Sequence, residues 1–387
     1  MVNKKKICFV VSTISTVRAF LDNHIRQLSE TFDVYIAANL NENDLDYLKT
    51  LPLKGYQHVR IERKINLLRD GTSIIELSRY FRKEKFFAIH SVTPKAGLVN
   101  ALAGKIAGIK NRIHIFTGQV WVSRKGIMRE MLKSIDKLIA RLNTHILVDG
   151  NSQREFLISE KVVKETNSLV LANGSISGVD TEKFKPNENY RSTIRCSLGI
   201  TDEQIVFLFL GRLCREKGID ELLEAFSMLH KEHSNTYLLL VGPEEEDYSK
   251  KIKSKFQNLI DKKNFFLFGM TSVPEQLLNA GDVFCLPSYR EGFGMSVIEA
   301  SSTALAAIVS NAYGLRDSVV PEITGMVCKV KDVDSLYDQM KYMMEHPDFM
   351  RLAGANGRKY IQKRFNQADV SKAWVDFYMS LVCELDN

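Results

Sequence analysis

No stretch of this 387-residue chain strings together the roughly 18 apolar residues that a helix needs to cross a bilayer, so an integral membrane protein is not expected. The six cysteines, Cys8, Cys196, Cys214, Cys285, Cys328 and Cys383, show no Cys-x-x-Cys or Cys/His spacing, and most lie in apolar surroundings. They read as reduced core thiols rather than a zinc or disulfide framework. Sequence repeats and low-complexity tracts are also missing. The segment Ser12-Thr-Ile-Ser-Thr-Val-Arg18, after the first apolar run, contains no glycine. A nicotinamide-dependent oxidoreductase would need Gly-x-Gly-x-x-Gly there, so that class is disfavoured. Lys4-Lys5-Lys6 before Ile7–Val11 resembles the start of an export signal, but the apolar run stops at Ser12 and no small-residue cleavage site follows. A first buried strand is expected, in a cytoplasmic protein, and a bilobal exported binding protein is disfavoured.

What is present is ordinary globular material: 45% apolar and 26% charged residues, at a length that suits two domains. The net charge of +7 conceals an asymmetry. Residues 1–180 carry 28 Lys and Arg against 17 Asp and Glu, whereas residues 181–387 carry 25 against 29. The first half is therefore suited to an anionic partner. β-Branched runs near 7–11, 33–37, 87–91, 112–116 and 145–148 alternate with helical patterns over 19–30, 72–84 and 95–107. After a polar stretch near 180–192 the alternation restarts at 205–210, 237–241, 265–268 and 283–286. This is the pattern of two α/β, Rossmann-like domains in tandem, 1–180 and 181–363, whose facing strand ends would form a cleft. Residues 364–387 should form a closing helix, with Val370, Trp374, Phe377, Tyr378 and Leu381 at core spacing, that packs back on the first domain.

Two constellations carry chemistry. Gly211-Arg212-Leu-Cys-Arg-Glu-Lys217-Gly218 follows a buried strand and opens an amphipathic helix, which brings two cations to a helix N-terminus and suits a diphosphate. Glu291-Gly292-Phe293-Gly294-Met295-Ser296-Val-Ile-Glu299 also follows a strand. Its glycines allow close backbone approach, the first helical amides point outward, and the two carboxylates can accept hydrogen bonds from vicinal hydroxyls. A sugar nucleotide fits both.

Gly211-Arg-Leu-x-x-Glu-Lys-Gly218, Pro287-Ser-x-x-Glu-Gly-Phe-Gly294 and the glutamate pair together resemble the retaining GT-B glycosyltransferases of family 4, the glycosyl transferases group 1. Thr93-Pro-Lys-Ala-Gly97, Phe116-Thr-Gly-Gln-Val-Trp121 and Asn173-Gly-Ser-Ile-Ser-Gly-Val-Asp180 resemble that family's bacterial capsule and O-antigen members. The resemblance spans nearly the whole chain. It implies that Arg212 and Lys217 hold the donor diphosphate, that Glu299 accepts the ribose hydroxyls, and that Glu291 contacts the hexose beside backbone donors from Gly292 to Gly294. It further implies transfer with retention and without a metal ion, from a UDP-linked sugar to a glycan carried on a polyprenyl diphosphate. Asp44-Leu-Asp46 and Asp332-Val-Asp334 match a short metal-binding pattern of other glycosyltransferases, but they read as loop or helix-start acids. A UDP-sugar 2-epimerase of the same architecture is the alternative. It would need carboxylates near the sugar in both domains.

The first domain departs from the wider family. Where relatives carry a glycine pair, this chain has Ser12 to Arg18, so Ser15, Thr16 and Arg18 become candidates for phosphate or acceptor contacts. Where relatives carry a histidine turn, it has Thr117, Gly118 and Gln119, which makes this turn a candidate for acceptor or sugar contacts, with Thr117 and Gln119 near the anomeric centre. His90 and His114 are alternatives for a histidine near the anomeric centre, set against the plainer reading of core residues. Residues 121–142 form a basic amphipathic segment with apolar positions at 127, 128, 131, 132, 135, 138, 139 and 142. A core-packed helix with a solvated basic face is one reading; contact with an anionic membrane surface is the other. No nucleic-acid partner is expected.

Overall fold

The computed structural model describes residues 4–62, 66–245, 248–255, 257 and 264–384. The chain divides into two units, residues 1–178 with 367–387, and residues 179–366. Each is built on one parallel sheet with helical crossovers, the Rossmann-like plan that the alternating pattern predicts.

In the first unit the strands are β1 (Lys6–Val10), β2 (Asp33–Ala38), β3 (Gly55–His58), β4 (Ala88–Ser91), β5 (Asn111–Phe116), β6 (His145–Val148) and β7 (Ser168–Leu169). Their order is β3-β2-β1-β4-β5-β6-β7, so the direction of winding reverses between β1 and β4. In the second unit β8 (Ile205–Leu210), β9 (Thr236–Val241), β10 (Phe265–Phe268), β11 (Val283–Leu286), β12 (Ala306–Ser310) and β13 (Gly325–Cys328) run β10-β9-β8-β11-β12-β13, with the reversal between β8 and β11. In open α/β sheets, ligands bind outside the carboxyl ends of the strands at such a reversal.

Several elements were not anticipated. β3 and β7 are short strands at the sheet margins, and β3 (Gly-Tyr-Gln-His) has no apolar alternation. The apolar run from Ala300 divides: the helix stops at Ser302, Ala304 adopts a left-handed φ of 64°, and Ala306–Ser310 forms a fully buried strand. Burial in a parallel sheet has overridden the helical propensity of alanine there. The expected helix over 19–30 begins as a π-helix, Val17–Leu21, before the α-helix Asp22–Leu28. The polar stretch near 180–192 runs into the helix Glu188–Leu198, anchored by Arg195, which is buried against Asp282 and the Thr201 and Gln204 carbonyls.

The closing helix, Gln367–Cys383, is part of the first unit; positions 385–387 of the expected span lie outside the described residues. It docks through a three-ring stack, with Trp374 between His24 (ring centroids 4.3 Å apart) and His90 (4.9 Å). All three rings are buried. His24 Nε2 donates to the Ile176 carbonyl at 2.7 Å, which leaves Nδ1 to accept from the Ser371 hydroxyl at 2.8 Å. His90 Nδ1 lies 2.8 Å from the Tyr378 hydroxyl. His90 is thus a docking residue of the core. Burial, partly offset by the Ile176 bond, holds His24 down to about 4, and burial with the fields of His114 and His24 holds His90 well below the ordinary histidine range.

Both rings are neutral in the fold and take up protons only after unfolding. Their contribution is therefore complete above about pH 6.5 and is lost as the pH falls toward 4, with about 3 kcal/mol at stake for His24 alone. Urea unfolding of the full chain at pH 7.5 and pH 5 should show that loss, and His24→Gln should show a smaller one. An identical pH dependence in the two proteins would contradict this account.

Candidate functional site

Both constellations of the second unit leave the two central strands at the winding reversal, Gly211 following β8 and Pro287 following β11. After Gly211 the chain makes a 3-10 turn, Arg215–Lys217, and enters the helix Ile219–Glu232 through Gly218. Gly218 has φ +72°, and a Cβ there would lie 2.1 Å from the Pro287 carbonyl oxygen. Only glycine fits both the conformation and the contact. Asp220 and Glu221 in the first turn suit the positive end of that helix.

The two loops are fastened together by polar contacts. The Tyr289 N–H donates to the Glu216 carbonyl at 2.8 Å, the Tyr289 hydroxyl to Glu221 Oε1 at 2.6 Å, and Arg290 Nη2 to Glu216 Oε2 at 2.5 Å. At the centre Lys217 Nζ pairs with Glu291 Oε1, which also accepts from the Ser288 hydroxyl at 2.8 Å. The Lys217 and Glu291 side chains are 17% and 14% exposed, enough burial for the pair to hold its geometry. The structure thus brings two sequence-predicted residues into direct contact. Arg212 instead pairs with Glu245, in the loop after β9.

Glu291 leads into a turn that depends on glycine. Gly294 has φ +82° and caps the helix Met295–Ser302 with no side-chain cap, so the amides of Met295 and Ser296 form its outward-facing first turn. The Phe293 side chain is buried and packs on Phe365 at 5.0 Å, so this residue can offer a ligand only its backbone. Glu299 sits on the same helix. Burial pushes its carboxyl up to about 7; Lys183 opposes the shift and Glu275 adds to it. Lys183 Nζ lies 3.5 Å from Glu275 Oε2. Near neutral pH, Glu299 can therefore either accept or donate a hydrogen bond.

In the first unit the Ser12 and Thr93 hydroxyls, after β1 and β4, lie 2.7 Å apart. Ser15 is exposed, with its hydroxyl 2.7 Å from that of Thr13, and Thr16 ends the first helical turn. Arg18 lies on the π-helix with its guanidinium 3.9 Å from the Tyr47 ring centre, and the Tyr47 hydroxyl donates to Asp22 at 2.7 Å. Thr117 and Gly118 (φ +130°) are partly exposed after β5, whereas Gln119 turns inward, fully buried, and accepts from Gln153 Nε2 at 3.2 Å. Its side chain is engaged within the fold and does not share an open face with Thr117. His114 is also internal: Nδ1 meets the Ser91 hydroxyl at 2.9 Å, the ring faces Gly97, and burial holds it down to about 3. Asp44 and Asp332 both serve helix starts, Asp44 in a capping box and Asp332 as an N-cap.

Glu216 stands in the Gly211–Gly218 motif without an assigned role, while Glu245, Tyr289, Arg290, Lys183 and Glu275 carry no signal of their own in the sequence. Glu216 and Arg290 adjoin Lys217 and Glu291, so proximity was the one available signal; their pairing depends on the β8–β11 adjacency.

Residues 191–360 match the family model described as glycosyl transferases group 1. The chain is 27% identical over 386 residues to the capsular polysaccharide biosynthesis glycosyltransferase CapM of Staphylococcus aureus, covering 98% of this chain and 99% of that protein. It is 27% identical over 358 residues to the UDP-Gal:alpha-D-GlcNAc-diphosphoundecaprenol alpha-1,3-galactosyltransferase of Escherichia coli, covering 92% and 90%. Among solved structures, Anabaena Alr3699/HepE in complex with UDP superposes with a TM-score of 0.80 at 16% identity, covering 97% of this chain and all of that one. At that identity the likeness concerns the fold.

Gly218→Ala should destabilise the second unit by on the order of 2 kcal/mol, since it combines a left-handed φ with a backbone collision. Gly199→Ala, also at positive φ (+69°) but with open space around it, should cost only about 1 kcal/mol. Equal unfolding midpoints for the two variants would contradict the packing argument.

Proposed function

Residues 191–360 belong to the glycosyl transferases group 1, so the protein is a glycosyltransferase, and we propose that it moves a hexose-type sugar with retention from a UDP-linked donor to a glycan hydroxyl. The observation that carries this reading is the Lys217–Glu291 pair, clamped between two loops at the winding reversal. One cation there suits the departing diphosphate and the adjoining carboxylate suits sugar hydroxyls. Arg212 supplies a second cation, and the first-turn amides of the helix Met295–Ser302 supply donors. Glu299, further along that helix, suits the ribose.

In the proposed step the acceptor oxygen forms a bond to the anomeric carbon on the face from which the diphosphate leaves. The bond from that carbon to the diphosphate oxygen breaks, and the hydroxyl proton passes to a donor phosphate oxygen. Arg212 and Lys217 take the charge that develops on the leaving group, so we propose that no metal ion is required. The family match and the transferase relatives do not favour the epimerase alternative.

We further propose that the acceptor is a lipid-linked saccharide of a bacterial surface polysaccharide, reached at the inner face of the membrane. The activity of the Escherichia coli relative, on a diphosphoundecaprenol-linked sugar, supports this. So does the helix Gly126–Leu142. Ile139 and Leu142 are buried in the unit, and Trp121 anchors the helix by donating to the buried Asp136 at 2.7 Å. Ile127, Met128, Met131 and Leu138 are instead 89%, 51%, 42% and 41% exposed, with Arg124, Lys125, Lys137 and Arg141 exposed on the same segment. The apolar stripe is shared between the core and the surface, as an interfacial helix requires. Among the described residues no helix is long and apolar enough to cross a membrane.

Lys217→Ala and Arg212→Ala should each lose about 2–4 kcal/mol of transition-state stabilisation, read as kcat/KM with a UDP-sugar. Unchanged turnover in both would remove the phosphate assignment. Flotation with anionic vesicles at low salt should recover the wild-type protein, and Ile127→Glu with Met131→Glu should reduce recovery. Failure of the wild type to float would end the membrane reading.

A further inference from the structure

Glu245 has no part in the chemistry set out above, yet it holds one of the two cations on which that chemistry depends. Its loop is stitched to the chain leaving β8. The Leu213 N–H donates to the Pro243 carbonyl at 2.8 Å, and the Glu245 N–H donates to the Leu213 carbonyl at 3.1 Å. Just before it, Gly242 has φ +138°, and a Cβ there would lie 1.9 Å from the Gly211 carbonyl oxygen, so the two loops are in direct contact. This stitching sets Glu245 opposite Arg212, whose Nη1 donates to Glu245 Oε1.

The pair is half exposed, 49% for Arg212 and 40% for Glu245. Ion pairs this exposed add little to stability, so folding does not account for its placement. Arg212 lies in the fields of both Glu245 and Glu291. Cys214, whose thiol burial pushes upward, lies in the fields of Arg212, Glu245 and Lys217. The charges of this short stretch therefore form one coupled group of two cations and two carboxylates. Glu291 is the more buried of the two acids and is also bound by Ser288, whereas Glu245 sits in the more open loop after β9.

We infer that Glu245 is a built-in competitor for the donor diphosphate: its carboxylate orients the Arg212 guanidinium and surrenders it to a nucleoside diphosphate. The inference rests on the donor-site reading given above. A carboxylate and a phosphate both seek the planar fork of a guanidinium, so the two anions compete for the same donor edge. The protein thereby trades affinity for a guanidinium already in place. The competition lowers the affinity of donor and product by the same factor, and the product, which lacks the hexose contacts, is left the more weakly held of the two, so Glu245 favours product release.

The test compares UDP and uridine on the full-length protein by titration calorimetry and ligand-observed NMR. Glu245→Gln keeps the side-chain shape and removes the charge. It should bind UDP about 3–10 times more tightly at low salt, with the gain shrinking as ionic strength rises and uridine affinity unchanged. Glu245→Asp keeps the charge and should bind UDP within about twofold of wild type, because the competing anion is still present. Unchanged or weaker UDP binding by Glu245→Gln, or an equal gain for uridine, would overturn the inference. Failure of the wild-type protein to bind UDP at all would instead count against the donor-site reading.

Discussion

The parallel pairing of β8 with β11 is the constraint on which the second unit's chemistry rests. Val283 pairs with Phe207 and Phe284 with Leu208, so the two strands end side by side although 72 residues lie between Leu210 and Val283 in the chain. The placing of Lys217 against Glu291 follows from that adjacency. It brings the Gly218 turn against the Pro287 carbonyl, and that close approach lets Lys217 reach Glu291. The pair is internal enough to be held and exposed enough to meet a ligand. A lysine alone at a helix start would have adopted many rotamers. Held by Glu291, and with its own turn bonded to that same loop through Glu216, Tyr289 and Arg290, it keeps a geometry already suited to a charged leaving group.

The same economy shows in how each unit treats its buried polar groups. In the first unit, histidines that could have served chemistry are spent on docking. His24 and His90 bracket Trp374, and His114 fills the space that Gly97 leaves open. Desolvation keeps all three neutral, which suits aromatic packing and removes them as proton carriers near neutral pH. A reaction that hands its proton to the donor's own phosphate oxygen has no need of a histidine base, so the internal placement of these rings and the proposed mechanism agree. In the second unit, by contrast, carboxylates remain where a ligand could meet them.

Much of the fold was legible because parallel strands buried on both faces are continuous apolar runs. Ile205–Leu210 and Val283–Leu286 are read directly, and so is the closing helix from the spacing of Val370, Trp374, Phe377 and Leu381. Elements whose stability comes from neighbours were not legible. β3 and β7 are set by pairing at the sheet margins, and Ala306–Ser310 becomes a strand because the slot between β11 and β13 calls for one. The site divides in the same way. Residues in the glycine-bearing turns after strands, such as Arg212, Lys217 and Glu291, stand out in the sequence, as does Glu299 on the helix that follows. Glu245 looks like an ordinary surface acid until the topology places it opposite Arg212, and Glu216, a motif position, gains its role only from Arg290. Gln119 looked available because it follows a strand, and only the packing of Gln153 shows that it faces inward.

The charge asymmetry between the halves can now be divided by location. On the helix Gly126–Leu142, Arg129 and Lys133 are committed to Glu160, so the basic character of the outer segment rests on Arg124, Lys125, Lys137 and Arg141. These four flank exposed apolar side chains rather than a cavity, an arrangement that favours a broad anionic surface over a single small anion. The second unit's excess acid does the reverse, since Glu245 and Glu291 sit beside the very cations proposed to hold a diphosphate. Positive charge is left open where a surface would be met and balanced where a small, highly charged product must leave. The proposed collection of a lipid-linked substrate at a membrane and release of a soluble nucleotide would draw on that division, which follows from where individual side chains are placed rather than from the net charge of either half.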